Sequence, residues 1–190
     1  MAAGDGLISM APSSVSAGTG TAAINADGGI ELSGCSDATL NGIFNGDFDN
    51  YRMTGWLTYS SGDISCRFQF SSSGTPASST DYTWEYMQSL ITPGQPTVTA
   101  GRISNSAYGA FCALAQNWTN GFEFHAYGPY LAQPTAVRSF DVSGQRWNAQ
   151  YAAVTDWATT HSLSTSYDGL KLYVASGTFS GVVHVFGYEE

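Results

Sequence analysis

A strict two-residue alternation in the middle of the chain constrains the fold most. Between Ile64 and Ser71 every second residue is apolar and the residues between them are polar, and residues 82–86 repeat the pattern. An amphipathic helix would show a period of 3.6 residues, whereas a period of two places one side of a β-strand in a core and the other in water. Both segments therefore predict half-buried strands.

Similar short segments occur along most of the 190 residues. Asp27-Gly28 between two apolar runs predicts a hairpin, and Gly55 within residues 48–59 predicts a β-bulge. Further strands are expected at 108–116, 122–130, 135–142, 161–167, 170–175 and 178–188, the last two forming a closing hairpin. Residues 148–156 are the single helical candidate.

Strands separated by turn signals at intervals of roughly 8–12 residues are typical of sandwiches and barrels. We therefore predict an all-β fold, an antiparallel β-sandwich of jelly-roll type, for residues 19–190. Residues 1–18 are small and polar, without periodicity, and we interpret them as an extended attachment arm. Its four larger apolar residues would dock it by adding a strand to the sheet of a partner: Leu7, Ile8, Met10 and Val15.

Composition excludes several classes of function. Charged residues make up 11% of the chain, the net charge is −9, and Lys171 is the one lysine. Binding to nucleic acid or to an anionic membrane needs clustered basic residues, which this sequence lacks. No apolar run is long enough for a membrane helix, and Met1–Met10 has no basic region typical of a secretory signal. We expect synthesis in a cytoplasm without signal-directed export.

Residue types with metal-binding or catalytic chemistry are scattered. Cys35, Cys66 and Cys112 have no zinc or disulfide spacing, so we predict three small buried side chains. The histidines, which are His125, His161 and His184, form no motif and are predicted to be isolated. Asp47, Asp49 and Asp63 fit either turn hydrogen bonds or, less well, a calcium site. No catalytic motif is present, and neither a cofactor nor a metal is expected.

Tryptophans divide into two groups. Trp56 and Trp84 lie in predicted strands and are expected in the core. Trp118 lies in a predicted turn, and Trp147 and Trp157 flank an irregular segment that also contains Tyr151. Exposed aromatic rings stack on sugars, so these four residues are the candidates for glycan contact.

Several stretches of the chain resemble one family. Leu40-Asn41-Gly42-Ile43-Phe44 is followed by Asp47-Phe48-Asp49-Asn50-Tyr51-Arg52 and a strand. This order, with Arg67–Phe70, Tyr127–Tyr130 and the terminal run Ser180–Tyr188, resembles bacteriophage virion proteins of the tail or tail-fibre type. The likeness covers nearly the whole chain but consists mostly of turn and core residues. It therefore implies a fold and a setting and transfers no catalytic residue.

The resemblance implies a non-enzymatic virion structural protein, an appendage on the tail or head that contacts the host cell surface. It also implies a homotrimer that binds other virion proteins, here through the arm. Two alternatives stay open: a capsid decoration protein that stabilises the head, and a carbohydrate-binding module without a virion role. A glycan-cleaving enzyme is the least favoured function, because no pair of carboxylates stands out among the fifteen acidic residues.

Overall fold

A computed structural model describes residues 6–62, 64–92, 95–144 and 152–188. In these ranges the chain forms β-strands and no helix. The described residues therefore contain no helix that is long and apolar enough to cross a membrane. The first eight strands are β1 (Ile8–Met10), β2 (Ser14–Ala17), β3 (Thr21–Ile24), β4 (Ile30–Cys35), β5 (Asp37–Asn41), β6 (Asn50–Tyr59), β7 (Ile64–Ser72) and β8 (Thr75–Pro76). The next eight are β9 (Tyr82–Thr92), β10 (Gln95–Ser106), β11 (Gly109–Leu114), β12 (Asn120–Tyr127), β13 (Thr135–Gly144), β14 (Ala152–His161), β15 (Gly169–Tyr173) and β16 (Phe179–Tyr188).

The strands form two antiparallel sheets that pack as a sandwich. The ten-stranded sheet has the order β10-β9-β14-β13-β12-β6-β16-β4-β3, with β1 also paired to β16. The six-stranded sheet has the order β11-β7-β15-β5-β2, with β8 paired to β7. The predicted all-β antiparallel sandwich is confirmed. It contains more strands than the eight of a simple jelly roll.

Aromatic side chains from both sheets fill the space between them. Phe68 of β7 lies edge-to-face against Phe124 of β12, with ring centroids 5.2 Å apart, and Phe111 of β11 makes the same contact with Phe122. A smaller cluster, built on Trp84 and on Trp157, lies beside this core under β11. The inward residues of β7 and β12 are the buried ones, and this accounts for the alternation of apolar and polar residues in the sequence of these strands.

Most strand predictions are confirmed, including β7, β9 and the hairpin of β3 and β4, where Gly28 takes a φ of 83°. The bulge predicted at Gly55 is wrong, since β6 pairs in unbroken register with both neighbours. The closing hairpin is also wrong: β15 and β16 belong to different sheets. Residues 162–167 form no strand. The sequence gives no indication of β10, because Pro93 and Pro96 stand at its start and proline usually interrupts a strand.

The predicted helix is wrong in the part that the structure describes, because residues 152–156 belong to β14. Residues 148–151 lie outside the described ranges. Alternation is hard to see in β14 from sequence alone, since its inward residues include Thr155 and Thr159 beside Trp157. Small and polar residues on the inner side obscured the period of two.

The N-terminal segment is extended, as expected, but its strands pair within the chain. Ile8–Met10 pairs with β16, and Ser14–Ala17 pairs with β5 at the edge of the other sheet. Met10 and Val15 pack against the core, whereas Leu7 and Ile8 are exposed. This differs from an arm ordered only against a partner, because β1 occupies the part of β16 beyond β4 and β2 occupies the free side of β5.

All three cysteines are free and buried, as predicted. Burial raises the pKa of each thiol above its ordinary value. Cys66 and Cys112 lie opposite each other on β7 and β11. Because the thiolate is the reactive form, these side chains act as small apolar packing groups in the folded protein.

Candidate interaction face

The structure places the predicted glycan contacts in different environments. Trp118 is exposed in the turn before β12. Trp157 is only 3% exposed, and its Nε1–H donates a 2.6 Å hydrogen bond to Oδ1 of Asp141. Its role is therefore structural, and its assignment as a glycan contact is wrong. Trp147 and Tyr151 lie outside the described residues.

Of the two tryptophans expected in the core, Trp84 is buried and Trp56 is not. Trp56 is 42% exposed and lies on β6, on the side of the sheet that faces away from the sandwich core. Strand alternation does not say which side of the strand meets the second sheet when both sides carry large residues. The exposed Trp56 belongs to a surface that the sequence did not predict.

The histidines and aspartates do not assemble a site. His125 and His184 point outward from β12 and β16, while His161 is buried against Tyr82 and Tyr167. Asn45 Oδ1 accepts a hydrogen bond from the backbone N–H of Asp47, which is the turn chemistry considered above. Asp63 lies outside the described residues. Within them, no group of three or more metal-ligating side chains occurs.

We call the side of the ten-stranded sheet turned away from the core the outer face. The name is restricted to the outward residues of seven neighbouring strands, β16, β6, β12, β13, β14, β9 and β10, and β4, whose exposed Glu31 pairs with Val182, lies beyond it. Directly paired residues of an antiparallel sheet share one side, so the registers arrange these outward residues in rows across the strands. Several of the residues are large and apolar and yet exposed, which is uncommon on a sheet with a covered face.

One row, which we call the apolar row, crosses all seven strands. It consists of Val182, Trp56, Gly121, Val142, Val154, Ser89 and Val98, each paired with the next. Val142 is 49% exposed, Val154 50% and Val98 67%. Met87 and Phe140, also exposed, stand in the adjacent row. The apolar row and these two residues thus form an exposed apolar band on the outer face.

An ion network lies beside the apolar row on β6 and β12. Oε2 of Glu123 is 2.5 Å from an Nη of Arg52, and Oε1 is 2.6 Å from Nε2 of His125. Partial burial raises the pKa of Glu123, but the hydrogen bonds from His125 and Arg52 outweigh it, so the pKa lies below its ordinary value. The Nδ1 of His125 lies 3.3 Å from the Tyr188 hydroxyl. These contacts hold the side chains in place on the outer face.

Two depressions interrupt the surface. A shallow groove of about 620 Å³ crosses β13, β14, β9 and β10, where Ala100 and Ala158 stand between longer side chains that include Glu85 and Arg102. A second depression of about 430 Å³ lies over Gly121. A Cβ built on Gly121 would meet nothing within 4 Å, so the space above this residue is open.

Charge is distributed unevenly between the outer face and the rest of the molecule. On the seven strands the outward charged residues are three carboxylates, from Glu85, Glu123 and Asp156, and three guanidinium groups, from Arg52, Arg102 and Arg138. Their formal charges cancel, and Arg138 and Asp156 form a bidentate pair. The net charge of −9 is therefore carried outside this face.

No family model matches the chain, and no curated protein and no solved structure shows significant similarity to it. An apolar surface with compensated charges at its border suits contact with another folded protein, whose apolar side chains it can bury.

Proposed function

We propose that this protein is a non-enzymatic structural component of a bacteriophage virion, an appendage on the tail or head that contacts the host cell surface. It assembles through its outer face. The protein is made in the host cytoplasm and its working location is the particle. Three buried free thiols are consistent with folding in a reducing compartment.

The observation that carries this proposal is the exposed apolar row on a sheet whose other side is already buried. Exposed apolar patches of several hundred Å² on soluble proteins commonly mark interaction sites. A face of this breadth does not resemble the concave, enclosed pocket that small ligands need. An assembly function explains why the chain keeps Trp56 and three valines, Val98, Val142 and Val154, exposed to water.

The test compares particles produced with the wild-type chain and with two variants. Val154→Glu adds a charge to the apolar row, whereas Leu163→Glu makes the same kind of change at an exposed residue between β14 and β15. Quantitative mass spectrometry gives the copies per particle, and circular dichroism confirms that both variants fold. We expect Val154→Glu to lower occupancy strongly and Leu163→Glu to leave it unchanged.

Copy number also separates the proposed appendage from a capsid decoration protein. A decoration protein would be present at about the number of capsid subunits or of their trimers, and a tail appendage in few copies. Absence of the protein from purified particles would overturn the virion role. Unchanged occupancy of Val154→Glu would overturn the role of the outer face.

One observation favours a carbohydrate-binding role as the second candidate. Trp118 is exposed in a turn that is held by a 2.9 Å hydrogen bond from Nδ2 of Asn120 to the Trp118 carbonyl. An exposed indole on a turn held in this way can stack on a sugar ring. Binding of host glycan by the wild-type protein but not by Trp118→Ala would establish this role; equal binding by both would exclude Trp118 as the contact.

A further inference from the structure

We propose that β10 pairs edge to edge with β10 of a second copy of this chain, antiparallel and about a two-fold axis at Ala100. The ten-stranded sheets of the two copies then become one continuous sheet. The contact uses the edge of the sheet at β10 and leaves the outer face open for the assembly contact proposed above. The inference therefore goes beyond the proposed function and does not depend on it.

The strand β10 lies at an edge of the sheet and is uncovered on both of its sides. Among the described residues β9 is the one strand paired to it, so its other edge presents backbone N–H and C=O groups to water. From residue 97 to residue 105 every residue except Gly101 is exposed. A long edge strand without a covering segment is a template for another strand. Only a strand offers N–H and C=O groups at the matching spacing, so the neighbour that fits this edge is a strand.

The other edge strands of the described fold are too short or are covered. The strands β1, β2, β3 and β8 have four residues or fewer. The strand β11 has six residues, all of them buried, since it packs against β13 and β14. The strand β10 has twelve residues. Among the described edges of a second copy, its own β10 is therefore the one that matches β10 in length.

Charge also distinguishes the edge at β10 from the others. Each copy carries a net charge of −9, so two copies repel each other through most parts of their surfaces at moderate ionic strength. The strand β10 contains Arg102 and no carboxylate, and the one acid of β9 is Glu85, which is paired with Arg102. By contrast, β3 pairs with β4, which contains Glu31, and β2 pairs with β5, which contains Asp37. Two copies can therefore meet through β10 without opposing their carboxylates.

The side chains of β10 favour a register centred on Ala100. The exposed and regularly paired part of the strand runs from Thr97 to Ile103, with Ala100 in its middle. A two-fold axis there places Ala100 opposite its own copy, Val98 opposite Arg102, and Thr97 opposite Ile103. The aliphatic stem of Arg102 then covers Val98, and Thr97 and Ile103 form a pair of β-branched residues. Both exposed apolar side chains of the strand thus gain a neighbour, and the two Arg102 residues do not face each other.

The contact consists mainly of backbone hydrogen bonds. Seven paired residues on each copy give about six to eight of them, which is within the usual range of about 10 ± 5 for a protein interface. The area of a strand edge lies at the lower end of interface sizes, below about 1,200 Å², so we expect a dissociation constant in the micromolar range. Such a two-fold pairing uses the edge at β10 of both copies and closes at two. It replaces the homotrimer implied by the sequence resemblance.

Ala100→Lys tests the contact at its centre. Residue 100 is exposed in the single chain, so the fold is retained, whereas in the pair two lysines would face each other close to both Arg102 side chains. Sedimentation equilibrium at micromolar concentrations should give twice the chain mass of 20.1 kDa for the wild type. We expect Ala100→Lys to raise the dissociation constant about tenfold or more. Ala158→Lys is the matched control, because Ala158 is an exposed alanine on the same side of the sheet but on β14, away from the edge.

A mixture of Ala100→Lys and Ala100→Glu provides the second test. Opposite charges at residue 100 restore the pair only where this residue faces its own copy, so the mixture should form dimers that Ala100→Lys alone does not form. Circular dichroism verifies that each variant folds.

A wild-type dimer that Ala100→Lys weakens, that Ala158→Lys leaves intact and that the mixture restores supports the inference. A monomeric or trimeric wild type, a dimer unaffected by Ala100→Lys, equal loss in Ala158→Lys, or no recovery in the mixture overturns it. The proposed assembly function has its own test in the particle occupancy of Val154→Glu, so either proposal can fail while the other stands.

Discussion

At the scale of single residues, Trp157 and Trp56 have different roles because they lie on opposite sides of the ten-stranded sheet. Trp157 points inward and donates to the Asp141 carboxyl group, which also accepts a 3.1 Å hydrogen bond from the backbone N–H of Ala113. Asp141 thus joins a strand of the ten-stranded sheet to β11 of the other sheet. Trp56 points outward and makes the apolar row.

We predict that Trp157→Phe lowers the free energy of unfolding by about 2–4 kcal/mol, because a buried hydrogen bond is lost and part of the indole volume is left empty. Trp56→Phe, at an exposed position, should change it by about 0.5 kcal/mol or less in the monomer. Urea denaturation at low protein concentration measures both. Equal effects would contradict the assigned burial.

At the scale of elements, β6 and β16 approach each other closely at two glycines. A Cβ on Gly55 would lie 2.2 Å from the Val182 carbonyl oxygen, and one on Gly181 would lie 2.0 Å from that of Trp56. Gly55 therefore allows the backbones of β6 and β16 to approach each other closely, and this explains why a glycine stands in a regular strand. The central pairing of the large sheet depends on these small residues.

Gly55→Ala should destabilise the protein by about 3 kcal/mol or more, since backbone atoms of β16 must shift to admit the methyl group. Gly121→Ala on the next strand is the control and should be neutral or stabilising by up to about 1 kcal/mol. Chemical denaturation of the two variants gives the comparison. A mild effect of Gly55→Ala would show that β16 can relax.

The N-terminal strands provide a second prediction at this scale. Deletion of residues 1–18 removes the pairing of β1 with β16 and of β2 with β5, together with the packing of Met10 and Val15. Full burial of such a side chain contributes about 1.5–3 kcal/mol, and these two, which are partly buried, contribute a share of it. We therefore expect a clearly lower melting temperature. An unchanged melting temperature would instead agree with an independent arm.

At the scale of the whole molecule, two groups make stability depend on pH. Burial lowers the pKa of His161 below its ordinary value of 6.5, despite the opposing effect of Asp81, and the pKa of Glu123 lies below 4.5. In both cases the unfolded chain binds protons at a higher pH than the folded chain. Stability is therefore present above the unfolded pKa and is lost as the pH falls.

The expected result is a decrease in the free energy of unfolding as the pH falls below about 6.5, the pKa of an unfolded histidine. His161→Phe removes the buried titrating group and should flatten this first part of the curve, while the loss below pH 4.5 that is due to Glu123 remains. Denaturation at a series of pH values measures the slope. A His161→Phe curve parallel to that of the wild type would contradict the assignment.

The sequence by itself determined the fold class and most strands, because the period of two in β7, β9 and β12 is set by local geometry and by the need to bury one side. Cysteine burial also followed from residue type. What the tertiary structure alone decided was which strands became neighbours, that β1 and β2 join the chain's own sheets, and that Trp56 is exposed while Trp157 is buried. The physical reason is that alternation separates the two sides of a strand but does not identify the side that meets the second sheet. The apolar row depends on registers between strands far apart in sequence, and no local pattern encodes these registers.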